Sequence, residues 1–217
     1  MLNLLFPPKC LVCQKLLSKQ ELDLCLQCRA ELEDFPKTKL KLSFLAGWTA
    51  IWYYKDDVRK SLLQYKFSAK RNRRAGFGRL LAMKLLQENL TDFDILSWVP
   101  LAPARKFSRG YDQDELLAQA VGKELRQKPV ATLRKIRNTP PQSGILDASA
   151  RRANVMGAYR VISPKQVTGK RILLIDDVIT TGSTISECAR TLLTAGAKEV
   201  YCAAVAASSH EKKHNSR

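Results

Sequence analysis

Two adjacent carboxylates, Asp176 and Asp177, stand between the apolar run 172–175 (ILLI) and a small hydroxylated stretch, Thr180, Thr181, Gly182, Ser183 and Thr184. Neighbouring carboxylates repel each other unless a cation or the hydroxyls of a ligand engage them. Hydroxyls and a permissive glycine at the start of a helical pattern present open backbone N–H groups, which is phosphate-binding chemistry. Ser and Thr are also ordinary helix caps, so the hydroxylated stretch alone would read as a strand-to-helix connection. The acids directly before it turn the reading toward a ligand site. A receiver-type aspartate pocket also pairs acids at a strand end, but it lacks a hydroxyl-rich cradle immediately afterwards.

A second constellation is Cys10, Cys13, Cys25 and Cys28, two C-x2-C pairs separated by eleven residues. Four thiolates at this spacing close a tetrahedral, structural Zn²⁺ site with no open position for catalysis. Disulfides are the alternative. The opening MLNLLFPPKC has no basic start before its apolar patch, so no export signal is expected and the cytoplasm is the expected compartment. No apolar run approaches the length of a membrane span, and no membrane insertion is expected. Cys188 and Cys202 are expected to pack as small apolar groups.

These groups need a scaffold. Residues 172–175 show no alternation, as in a strand covered on both faces, and Ile185, Cys188, Ala189, Leu192 and Leu193 follow at helical spacing until Gly196. Strands are expected at 46–54, 95–100, 129–136, 159–162 and 200–207. Helices are expected to carry Val58, Leu62, Leu63 and Phe67, then Phe77, Leu80, Leu81 and Leu85, then Leu116, Leu117, Val121 and Leu125. Alternation of this kind is α/β, with a mostly parallel sheet flanked by helices. The expected division is a zinc-finger module and linker over 1–45, with 30–45 as linker, and an α/β domain over 46–217. Residues 137–158 have no usable apolar period and are expected to be a long functional loop.

The chain carries 37 Lys+Arg against 20 Asp+Glu, a net charge of +17, and should be drawn to polyanions. Lys66, Lys70, Arg71, Arg73 and Arg74 form a candidate clamp for a single-stranded nucleic-acid backbone, or else a solvated connection between helices. Trp48, Trp52, Tyr53 and Tyr54 are either stacking partners for it or strand core. The turn from Leu101 and Ala102 through Arg105 to Arg109 and Gly110 is a second anion site on the sheet edge that holds the acid pair.

ILLIDDVITTGST resembles the phosphoribosyl pyrophosphate (PRPP) loop of type I phosphoribosyltransferases. VPLAPAR and RGYDQ, behind a four-cysteine finger, resemble the ComF family of competence-associated proteins. The resemblance implies a type I phosphoribosyltransferase-like fold in which Asp176 and Asp177 take the ribose hydroxyls and residues 180–184 the 5′-phosphate. Leu101, Ala102, Arg105 and Arg109 would take the diphosphate, with Mg²⁺. RNTPPQSGILDASARRANVMGA resembles the family's mobile loop, whose contact residues here would be Gln142, Arg151, Arg152 and Asn154. Asp112 stands where the family typically has Asn, placing a negative charge beside the diphosphate site. The family also implies a role in natural transformation, with PRPP, single-stranded DNA and a helicase-like competence protein as partners. If the domain is catalytic, Asp176 and Asp177 fix the sugar while Arg105 and Arg109 stabilise leaving-group charge, and ribose 5-phosphate passes from PRPP to an unknown acceptor. A nucleic-acid-binding module with a vestigial sugar site is the remaining alternative.

Overall fold

The run at 172–175 grows into a nine-residue strand, and everything else is layered on it. The computed structural model describes residues 7–36, 42–67, 73–139 and 148–208. In order these form α1 (Leu26–Glu31), β1 (Gly47–Tyr53), α2 (Asp56–Phe67), α3 (Arg74–Gln87), β2 (Ile95–Trp98), α4 (Pro103–Arg109), α5 (Gln113–Glu124), β3 (Leu133–Lys135), α6 (Ala148–Val155), β4 (Tyr159–Val161), α7 (Pro164–Val167), β5 (Arg171–Ile179), α8 (Ser183–Thr194) and β6 (Glu199–Ala207). Four strands make a parallel sheet ordered β1-β6-β5-β2. Among the described residues no helix is long and apolar enough to cross a membrane.

Successive residues of β5 serve opposite layers, as a strand's period of two requires. Leu173 and Ile175 join the core built by α2, α3 and α5, while Ile172 and Leu174 join the one built by α8. Both layers are apolar, which is why the run shows no alternation. Cys188 and Cys202 are fully buried in the second layer, as expected of small apolar groups.

The strand ends later than its apolar run. β6 pairs with β5 out to Ile179 opposite Ala207, whereas β2 stops at Trp98 opposite Ile175. Asp176 and Asp177 therefore lie inside β5 but beyond the end of β2, with a ladder on one flank and open space on the other.

The N-terminal segment is not hung on a free linker. Cys10, Leu11, Leu24 and Cys25 belong to the same core as Leu62, Phe77 and Leu81. The Ser61 hydroxyl donates to the Leu11 carbonyl, and Arg79 grips Asp23 through Nε at 2.9 Å and Nη2 at 2.5 Å. The contact is close enough that a Cβ on Gly76 would lie 2.7 Å from Leu11 Cδ1. The described part of the expected linker docks as well. The Phe35 N–H donates to the Ile51 carbonyl, and its ring stands 5.3 Å from Trp48 and 4.9 Å from Tyr53. This segment covers the free edge of β1. On the far side the Val130 N–H donates to Leu96 O, and the Ser97 and Thr132 hydroxyls meet at 2.7 Å, covering β2. Among the described residues, each edge strand is therefore partly covered by a neighbouring segment.

The strands expected around 129–136 and 159–162 form, but shorter and apart from the main sheet: β3 and β4 make an antiparallel pair of their own. The expected loop 137–158 contains a helix, α6. Its amphipathic period is invisible because only Val155 is shown buried along it. Position comes instead from a polar anchor behind it, where Glu187 of α8 accepts the Gly157 N–H at 2.7 Å and pairs with Arg190. The Arg190 guanidinium, then the Gly157 N–H, hold the Glu187 carboxyl below its ordinary range against the opposing effect of burial. Its stabilisation is thus present above the unfolded-state pKa and fades as pH falls through the lower folded value. Glu187→Gln should cost about 1–2 kcal/mol at pH 7, and denaturant melts of the two proteins should converge below roughly pH 4.

Candidate functional site

At the carboxyl ends of the parallel strands lies a cleft of about 430 Å³. Such a crevice is where open α/β sheets bind ligands. Its floor is the acid pair. By strand alternation Asp176 and Asp177 leave β5 toward opposite layers, yet past the end of β2 both reach the cleft. The Asp177 N–H donates to Asp176 Oδ1 at 2.8 Å, which holds the two together. A third acid joins them: Asp114, from the first turn of α5, brings its carboxylate within 4.8 Å of both. Asp176 is 9% exposed and the other two 3%. Three buried carboxylates at this spacing offer the hard oxygen ligands that suit Mg²⁺.

The walls are cationic. Arg59 of α2, Arg105 and Arg109 of α4, Lys135 of β3 and Arg151 of α6 all line the cleft. Arg105 and Arg109, one turn apart, share a face of α4. Arg105 Nη2 donates to the Thr139 carbonyl at 2.5 Å and Arg109 Nη1 to Gln113 Oε1 at 2.9 Å, so both are held at the rim. The expected turn with two arginines is thus a short helix, stopped by Gly110 at φ 72°. The arrangement can bind a ligand that has hydroxyls at one end and several phosphate charges at the other.

In the hydroxylated loop, Thr180 and Thr184 line the cleft. Thr181, Gly182 and Ser183 form the turn itself, with a 2.9 Å contact between the Thr181 and Ser183 hydroxyls. Gly182 is required there: its φ is 72°, and a Cβ would sit 2.7 Å from the Leu42 side chain.

Some expected site residues do other work. Leu101 lines the cleft while its N–H donates to Asp112 Oδ2 at 2.9 Å, and Ala102 is buried as the residue preceding α4. Asp112 is not a free charge beside the arginines. It is buried, caps α5 by accepting from the Asp114 and Glu115 N–H groups, and ties that cap to Leu101. Burial raises its pKa, against the pull of those three N–H donors. Arg151 lines the cleft, whereas the exposed Arg152 and the half-buried Asn154 do not, and Gln142 lies outside the described residues.

The proposed nucleic-acid clamp is dismantled in part. Arg73 is buried and donates to the Ser61 carbonyl and hydroxyl and to Gln64 Oε1, so it braces α2 instead of meeting a polyanion. Arg74 is exposed, Lys66 falls at the end of α2, and Lys70 and Arg71 lie outside the described residues. Trp48 and Trp52 are core, and Tyr54 lines the cleft.

Sequence reasoning missed Asp114, Arg59 and Lys135. Asp114 had a visible signal, two residues after Asp112 in RGYDQD. The other two stand on different elements, and no local spacing marks them.

The second site is the cysteine cluster. All four Sγ atoms lie within 4.8 Å of one another, and Cys13 Sγ is 3.6 Å from Cys25 Sγ. A tetrahedral zinc with Zn–S near 2.3 Å sets its sulfurs about 3.8 Å apart, so the donor set fits structural zinc. Burial raises the thiols of Cys13 and Cys28, while at Cys10 burial is outweighed by the N–H groups of Cys25, Cys13 and Val12, which bring the thiol down to about 7.

Residues 114–217 match the phosphoribosyl transferase domain, and residues 1–39 match the double zinc ribbon domain. The chain is 35% identical over 146 residues to DNA utilization protein YhgH of Escherichia coli O157:H7, covering 64% of this chain and 63% of that one. It therefore spans under two thirds of that relative's length. It is 36% identical over 104 residues to Competence protein F of Haemophilus influenzae, covering 47% of this chain and 45% of that one. Over 87 residues it is 39% identical to a ribose-phosphate pyrophosphokinase of Gloeobacter violaceus, covering 40% and 22%.

Proposed function

We propose, from the premise that this chain joins an N-terminal double zinc ribbon to a phosphoribosyl transferase domain and is related to the DNA utilization and competence F proteins, that its cleft binds PRPP with Mg²⁺ in the service of DNA uptake. The observation that carries this is the polarity of the cleft, with three acids on its floor and five cations on its walls. Asp176 and Asp177 suit the ribose hydroxyls. Thr180, Thr184 and the N-terminus of α8 suit the 5′-phosphate, and Arg105 and Arg109 suit the diphosphate. Asp114 adds the charge that makes a bridging divalent cation favourable. Calorimetric titration with PRPP and Mg²⁺ tests the reading, and an absence of binding would refute it.

Catalytic transfer from PRPP is a second reading, supported by Arg105 and Arg109 lining the same cleft as the acid pair, since cations can stabilise leaving-group charge. Release of diphosphate in the presence of candidate bases tests it.

The DNA side of the proposal rests on the net charge and on the relatives' names. Single-stranded DNA should bind through phosphate contacts, so its affinity should fall steeply as salt rises. Binding that ignores salt between about 50 and 200 mM would remove it. A helicase-like competence protein is the partner expected to hand over the strand. A reducing cytoplasm is the compartment that would keep four thiolates available to zinc.

A further inference from the structure

A second concavity, of about 270 Å³, opens where the chain leaves α5 and returns past the start of β2, at the end of the sheet opposite the cleft. The helix begins among the cleft acids with Asp114 and reaches this groove with Lys123, roughly 14 Å further along its axis. Arg126 and Lys128, in the turn after the helix, line it too, and all three cations are exposed. A lysine in a last turn ordinarily complements the helix dipole, which accounts for Lys123 alone. Arg126 sits one residue past the cap at φ 54°, where glycine is the unstrained choice, so its side chain is kept at a cost to its backbone. The turn that presents it is fixed. The Gln127 N–H donates to Gly122 O at 2.8 Å and its side chain to Asp94 O at 3.1 Å, while a Cβ on Gly122 would run into the Gln127 carbonyl and lie 3.0 Å from Pro129 Cδ. The nearby acids are engaged elsewhere: Asp92 and Asp94 pair with Arg171, and Glu124 acts on Arg79. Among the described residues no ion pair forms to Lys123, Arg126 or Lys128.

We infer that this groove is where the chain holds DNA: Lys123, Arg126 and Lys128 grip the phosphodiester backbone of a single strand, at the far end of α5 from the phosphoribosyl cleft, so that both ligands are carried at once. This rests on the DNA half of the proposed function. A flexible strand can enter so narrow a concavity, and a stiff duplex cannot. No aromatic side chain lines it among the described residues, so the grip is on phosphates and ignores base sequence.

The test is fluorescence anisotropy of a labelled oligothymidylate with the full, zinc-loaded chain, with and without PRPP–Mg²⁺. The triple variant Lys123→Gln, Arg126→Gln, Lys128→Gln should bind the strand roughly ten- to a hundredfold more weakly, with the slope of log affinity against log salt reduced by about two. Removing the same charge elsewhere, as Lys15→Gln, Lys19→Gln, Lys165→Gln, should change the affinity by less than about threefold. Arg126→Gly relieves the backbone, so it should melt no lower than wild type and still bind the strand several-fold more weakly, which decides the matter if the triple variant does not fold. PRPP–Mg²⁺ should not displace the strand. Equal losses in the two triple variants, an unchanged affinity in Arg126→Gly, or displacement by PRPP–Mg²⁺ overturns the inference. Wild type that binds no oligonucleotide defeats the DNA reading itself, an outcome distinct from a strand bound equally well by wild type and the groove variants.

Discussion

On the proposed phosphoribosyl reading, Asp176→Asn combined with Asp177→Asn is expected to abolish PRPP binding while leaving the fold intact. Each carboxylate can accept charge-assisted hydrogen bonds from ribose hydroxyls worth about 1.5–3 kcal/mol, so losing both should cost about two to four orders of magnitude in affinity. The protein should tolerate the change, because the two acids share a buried cluster with Asp114 and neutralising them relieves like-charge repulsion. Asparagine also keeps an oxygen where Asp176 accepts the Asp177 N–H. Calorimetry beside a thermal melt reads both halves. Unchanged PRPP affinity in a double variant that melts at or above the wild-type temperature would mean that the sugar lies elsewhere.

Removing zinc should unsettle the whole first layer of the protein. A finger on a tether would unfold locally, but here the loop between two ligands is built into the main core. Leu11 packs on Gly76 and takes the Ser61 hydroxyl, and Asp23 holds Arg79. Those contacts reach the cleft, since α2 carries Arg59 and Leu63 to its wall and Tyr65 donates to the Gln113 carbonyl at 2.8 Å. Structural zinc contributes on the order of 10 kcal/mol to small fingers, and each lost kcal/mol lowers the melting temperature of a chain this size by about 2–4 °C. Cys10→Ser is therefore expected to release metal and lower the melting temperature by more than about 10 °C. Chelation of wild type should do the same. Atomic absorption and calorimetry check it: one zinc per chain retained by Cys10→Ser would contradict four-cysteine ligation. Separate melting of the N-terminal segment would contradict the shared core.

Asp112 illustrates how far local reading extends. Its place in RGYDQ marks the start of a helix, and the helix is there. Only the tertiary structure shows how the charge it adds is held, with two N–H groups from the first turn of α5 and a third from Leu101, in the connection after β2, converging on its carboxylate. Arg73 is a parallel case: in a basic run it reads as a surface group, and only the packing of α2 on α3 turns it inward.

What the sequence determined by itself is what neighbouring residues determine. The four-cysteine spacing, the buried run before the acid pair, the glycine that only a left-handed turn needs and the helical periods are all short-range patterns, set by steric and hydrophobic rules acting within a few residues. Tertiary structure decided which distant groups meet. It extended β5 past β2 so that acids from alternating faces converge, brought Asp114 to them from α5, set Lys135 opposite on a separate small sheet, and seated the zinc ribbon in the main core. None of these has a period to detect, because each depends on where strands end and how layers stack once the chain has closed on itself.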